Sequence, residues 1–149
     1  MRIRMWTVVM IAMLHQPATA LAAEANCWVQ AGQRYGIDPA LLVAVAKTES
    51  SLNPHAINRN RGKHGNTLDI GLMQINSQWW PALAQYGIEP SHPWDPCTSI
   101  HVGAWIVANN MQRGDYWSAV GAYNAGWDPS QAKKRNDYAW RVYRHLASN

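Results

Sequence analysis

The stretch Leu41-Leu-Val-Ala-Val-Ala-Lys-Thr-Glu-Ser-Ser51 carries a carboxylate where its pattern calls for an apolar side chain. Ala46, Val45 and Leu42 stand three, four and seven residues before Glu49. On an α-helix these four positions share one face. Glu49 therefore continues an apolar stripe, where a charged group loses its hydration. Two readings are open: a helix end reaching water, or a carboxylate held in an apolar cleft. Carboxylates are seldom fully buried, so the stretch alone leans to the first, and the rest of the chain must decide.

The boundaries of this helix are legible. Asp38-Pro39 offers a capping side chain followed by proline at the first helical position. Asn53-Pro54 stops the helix close behind Glu49. Glu49 then sits in the last turn, where the helix dipole disfavours negative charge. Dipole and apolar stripe both push its pKa upward.

The chain of 149 residues is long enough for one domain with a real core. Its start reads as a secretory signal over residues 1–22, leaving a domain over residues 23–149. Arg2 and Arg4 precede a short apolar run, and Ala18-Thr-Ala20 and Ala20-Leu-Ala22 offer small-x-small cleavage sites. Cleavage after Ala20 and after Ala22 are both open. The run is short for a bilayer span and no second one follows, so a soluble periplasmic protein without stable membrane insertion is expected. Losing Arg2 and Arg4 lowers the formal charge from +4 to +2, too little to argue for nucleic-acid binding. Cys27 and Cys97 both fall in the exported part, where a lone pair usually forms a disulfide.

Further along, helices are expected over residues 25–35, 39–50, 96–113, 117–123 and 137–147, with a shorter one from Trp79-Trp80-Pro81 to about Tyr86. Asp95-Pro96 repeats the start signal of Asp38-Pro39. Residues 55–69 read as a polar loop and Lys133-Lys-Arg135 as a solvated turn. Strand alternation is absent except for a possible short hairpin within residues 58–75. His55 and His64 lack metal-ligand spacing and an accompanying cluster, so no metal and no cofactor is expected. Nine tryptophans and six tyrosines without a phenylalanine nudge towards sugar stacking, although most will be core.

Three separated pieces, Glu49-Ser-Ser-Leu-Asn-Pro54, Gly71-Leu-Met-Gln-Ile75 and Ala122-Tyr-Asn-Ala-Gly126, stand in an order and at separations that resemble the soluble lytic transglycosylase, lysozyme-like domain. The resemblance covers about residues 26–145. With Asp69-Ile-Gly-Leu-Met-Gln-Ile-Asn76, the cysteine pair and the small size, it is closest to the specialised transglycosylases of type III and type IV secretion and pilus systems. It implies a mainly α, lysozyme-like single domain that cuts peptidoglycan glycan strands and serves such an apparatus. It also implies that Glu49 is the one catalytic carboxyl, acting as acid and then as base. Tyr123 would orient Glu49 through its hydroxyl, Ser50 would support the helix end, Met73 and Gln74 would line the cleft, and Asn124 would hold a turn or contact sugar. Asp69 is either a turn-holding or loop-pairing residue or a second cleft carboxylate that permits hydrolysis. The competing functions are a hydrolytic lysozyme and a wall-binding assembly factor without catalysis.

Overall fold

The computed structural model describes residues 18–62 and 65–148. The charged start and apolar run expected at residues 2–14 lie outside the described residues. Helix α1 (Ala18–Tyr35) begins upstream of the expected start. It is followed by α2 (Pro39–Ser50), strands β1 (Ile57–Gly62), β2 (Gly65–Ile70) and β3 (Ile75–Asn76), and helices α3 (Trp80–Ala84), α4 (Pro96–Met111), α5 (Tyr116–Ala125) and α6 (Ala132–Ala147).

The aspartates expected to start helices do so. Asp38 accepts from the Ala40 amide at 2.8 Å and Asp95 from the Thr98 amide at 2.7 Å. Asp115 caps α5 in the same way, accepting from the Ser118 amide at 3.0 Å. Each satisfies an amide that has no partner within its own helix. The disulfide between Cys27 and Cys97 ties α1 to the first turn of α4, with the two Cα atoms 5.5 Å apart. Helix α1 packs on α4 and α2, α2 on α6, and α5 between α4 and α6. Leu41, Leu42, Val45, Ile100, Val107, Val120, Tyr138 and Val142 fill the space between them.

Two segments differ from expectation. The possible hairpin is a three-stranded antiparallel sheet, β1-β2-β3, pairing Asn58 with Asp69 and Asp69 with Asn76. The expected solvated turn at Lys133-Lys-Arg135 is the first turn of α6. Asp128 caps a 3-10 turn at Pro129–Gln131 that runs directly into the helix. Lys133 then pairs with Asp137 one helical turn on, at 2.7 Å.

The turn after β2 is fixed by Gly71. Its φ is +75°, and a Cβ there would lie 2.1 Å from the Pro93 carbonyl oxygen. Only glycine tolerates both the left-handed backbone and that approach. The turn at residues 71–74 is thereby clamped against the loop that leads into α4.

Candidate active site

Glu49 ends the buried stripe of α2, and Leu42, Val45 and Ala46 are fully buried beneath it. The chain leaves the helix abruptly. Ser51 and Leu52 take φ values of +54° and +64°, a left-handed pair of non-glycine residues that costs on the order of 1–3 kcal/mol per residue. Ser50 secures this exit. Its hydroxyl donates to the Leu72 carbonyl at 2.7 Å and accepts from the Asn53 amide at 3.1 Å, so α2 is tied to the 71–74 turn.

Burial raises the Glu49 carboxyl from 4.5 to about 7. The hydrogen bond from Tyr138 opposes the rise, the negative charge of Asp69 adds to it, and Arg141 opposes it. Tyr138 is itself buried and donates its hydroxyl to Glu49 Oε1 at 2.5 Å. The Arg141 guanidinium lies over the Tyr138 ring, 5.3 Å from its centroid. A carboxyl tuned in this way holds a proton near neutral pH and can release and recover it.

Glu49 opens into a cleft of about 580 Å³. Its lining is rich in amides, Asn58, Asn60, Gln74, Asn76, Gln78 and Asn124, with Trp79 and Tyr123 as its aromatic side chains. Carboxamides both donate and accept, which suits hydroxyl and acetamido groups, and an aromatic face suits a pyranose ring. A second cavity of about 590 Å³ between α1, α3 and α4 is more apolar, and its one carboxylate, Asp95, is spent on capping α4. The raised carboxyl of Glu49 sets the amide-lined cleft apart from it.

Asp69 faces this cleft from β2. Its Oδ1 accepts from Asn76 at 2.6 Å, and its Oδ2 accepts from Asn60 at 2.7 Å and from Asn58 at 3.2 Å. Strand pairing explains the cluster: Asn58, Asp69 and Asn76 lie side by side across the three strands, and Asn60 lies two residues on from Asn58. Asp69 thus both borders the cleft and joins the strands. Asn58 and Asn60 escaped sequence reading. The signal was present, as polar alternation at Asn58, Asn60, Thr67 and Asp69, but it yields a shared face only once register is known.

Two further expectations change. The hydroxyl expected to reach Glu49 from Tyr123 comes instead from Tyr138. Tyr123 donates to the Met73 carbonyl at 2.7 Å and stacks beside Tyr138, ring centroids 6.4 Å apart. Met73 does not line the cleft with its side chain. It is fully buried, pressed so closely on Gly103 that a Cβ there would sit 2.6 Å from its methyl. The positive φ of Gln74, +48°, turns the chain so that Met73 points inward while Gln74 borders the cleft. Gln74 is braced by its own Nε2, which donates to the carbonyls of Gly71 and Ala56 at 3.0 and 3.1 Å. Asn124, at the end of α5, is exposed and lines the same cleft.

The architecture is lysozyme-like. It is similar to the X-ray structure of an inactive mutant of the lytic transglycosylase Slt from Pseudomonas aeruginosa, with a TM-score of 0.64 at 18% identity, over 83% of this chain and 23% of that one. The chain belongs to the transglycosylase SLT domain family, which it matches over residues 26–144. Among curated proteins it is 46% identical to the invasion protein IagB of Salmonella typhimurium over 129 residues, covering 83% of this chain and 79% of that protein. It is 41% identical to the protein IpgF of Shigella flexneri over 125 residues, covering 80% and 78%. The protein is accordingly an enzyme of the transglycosylase type. No helix among the described residues is long and apolar enough to cross a membrane.

Proposed function

We propose that the protein is a periplasmic peptidoglycan lytic transglycosylase that cleaves the β-1,4 bond between N-acetylmuramic acid and N-acetylglucosamine and leaves 1,6-anhydro-muramic ends. The observation that carries this reading is the carboxyl of Glu49, raised to about 7 at the edge of an amide-lined cleft. Protonated Glu49 donates to the glycosidic oxygen as the bond to the muramic C1 breaks, and N-acetylglucosamine leaves with a free hydroxyl. The N-acetyl carbonyl of the muramic residue supports the positive C1, which makes a second protein carboxylate unnecessary. Glu49, now a carboxylate, takes the proton of the muramic C6 hydroxyl as O6 bonds to C1. No water is consumed, and the acid is returned protonated.

In this account Tyr138 positions the acid. Tyr123 and Ser50 hold the 71–74 turn, and Gln74 and Asn124 contact the glycan. The resemblance to specialised transglycosylases, together with the likeness to an invasion protein, supports local opening of the wall for a secretion or pilus apparatus. Export would follow from the signal segment.

One observation favours a second reading: Asp69 shares the cleft with Glu49. Placed there, it can direct a water to C1 and give a hydrolysed end. Mass analysis of digested peptidoglycan separates the two, because an anhydro end is one water lighter. Anhydro products support transglycosylation; reducing ends alone refute it.

A further inference from the structure

Four aromatic side chains stand in the solvent on the side of the molecule formed by α5 and α6. Tyr116 and Trp117, in the first turn of α5, are 44% and 36% exposed. Trp140 and Tyr143, one turn apart on α6, are 60% and 42% exposed. They form one continuous chain of ring contacts. Tyr116 meets Trp117 at 5.1 Å between centroids, Trp117 meets Tyr143 at 5.6 Å, and Tyr143 stacks on Trp140 at 5.1 Å. Single exposed apolar residues need no explanation, but a contiguous set marks an interaction surface.

A basic pocket of about 440 Å³ adjoins this face, lined by Lys47, Thr48, Ser51, Arg141, Arg144 and His145. Arg144 joins the two features, being next to Tyr143 and one turn beyond Trp140. Basic residues at the ends of α2 and α6 suit the helix dipoles. The dipoles do not account for the aromatic surface beside them. None of these ten residues lines the cleft at Glu49, so a molecule seated here leaves the cleft open to glycan.

We propose that this face is a docking surface for an acidic segment of a partner polypeptide, with apolar side chains resting on Trp140 and Tyr143 and carboxylates entering the pocket at Arg144. Tryptophan, tyrosine and arginine are the residue types that dominate the energetics of protein interfaces. The charge selects an acidic partner, and a pocket lined by Lys47, Arg141 and Arg144 suits discrete carboxylates. Exposed Asn136 and Asp137 on α6, with no exposed leucine or isoleucine beside Trp140, tell against insertion into a bilayer. The proposal deepens the apparatus role above and rests on it for the setting, in which the partner holds the enzyme where the wall is to be opened.

The test is fluorescence polarisation of a dye-labelled peptide of alternating leucine and glutamate against the folded chain. Its glutamine counterpart, phosphatidylglycerol vesicles and purified sacculi serve as rival ligands. Saturable binding of the glutamate peptide is expected, weakened at least about tenfold by Trp140→Ala and by Arg144→Glu. Both variants should melt like wild type and lyse wall at the wild-type rate. The glutamine peptide should bind more weakly. No binding of the glutamate peptide, binding indifferent to both substitutions, or loss of vesicle or sacculus binding in Trp140→Ala without loss of peptide binding overturns the proposal. Wall lysis by the same wild-type sample distinguishes failure of this surface from failure of the enzymatic reading.

Discussion

Replacing Glu49 by glutamine should make the protein more stable at alkaline pH. The amide keeps an oxygen to accept the Tyr138 hydroxyl, now at 2.5 Å from Oε1, but carries no charge at any pH. In the wild type the carboxyl is raised from its ordinary 4.5 to about 7, chiefly by burial. The folded state therefore binds more protons than the unfolded one between those values. Stability falls as pH rises through that window and stays low above it. At 1.36 kcal/mol per pKa unit, the fall is about 3 kcal/mol. For a domain of this size that corresponds to a melting difference of about 10 °C. Thermal unfolding of both proteins, followed by circular dichroism from pH 4 to pH 8, reads this directly. All other titrating groups are shared, so the difference curve isolates position 49. The melting temperatures should converge near pH 4 and separate in favour of Glu49→Gln by pH 8. A wild type as stable as the variant at pH 8, or a gap independent of pH, would mean that Glu49 is not held in a desolvated site.

Three further outcomes follow from the same geometry. Tyr138→Phe removes the hydrogen bond that holds the Glu49 carboxyl down, so the alkaline limb of the wall-lysis profile should move to higher pH. With the acid no longer positioned, the rate should fall about ten- to a hundredfold, as expected for a hydrogen bond to a charged group; an unchanged profile would remove Tyr138 from the site. Asp69→Asn removes a negative charge that raises Glu49, so the same limb should move to lower pH while anhydro products persist. Opening the Cys27–Cys97 bridge, which closes 70 residues, should lower the unfolding free energy by about 4 kcal/mol, measured by urea unfolding of the Cys27→Ser, Cys97→Ser variant beside wild type.

Much of the fold could be read from local chemistry. Asp38-Pro39 and Asp95-Pro96 mark helix starts because a capping side chain and a proline act within one turn, whatever the tertiary surroundings. The stripe ending at Glu49 was equally visible, since helical periodicity is local. Lys133-Lys-Arg135 was harder to place because its turn is polar all round. Its helical state depends on the preceding Pro129–Gln131 turn and on burial of Tyr138 and Val142 further along. The rest of the site rests on contacts between distant segments. Tyr123 and Tyr138 stand on α5 and α6, and only packing decides which hydroxyl arrives at Glu49. Met73 turns into the core while Gln74 keeps the cleft because of a left-handed residue in a turn, and the asparagine face of the sheet needs a register that no single strand encodes.

The central claim is that one carboxyl, Glu49, both releases and recovers the proton in cleavage without water. Mass analysis of the muropeptides released from purified sacculi by wild type and by Glu49→Gln tests it most directly. Wild type should yield ends one water lighter than hydrolysed ends, and the folded variant should yield no released product. Reducing ends alone from wild type, or continued lysis by Glu49→Gln, would contradict the claim.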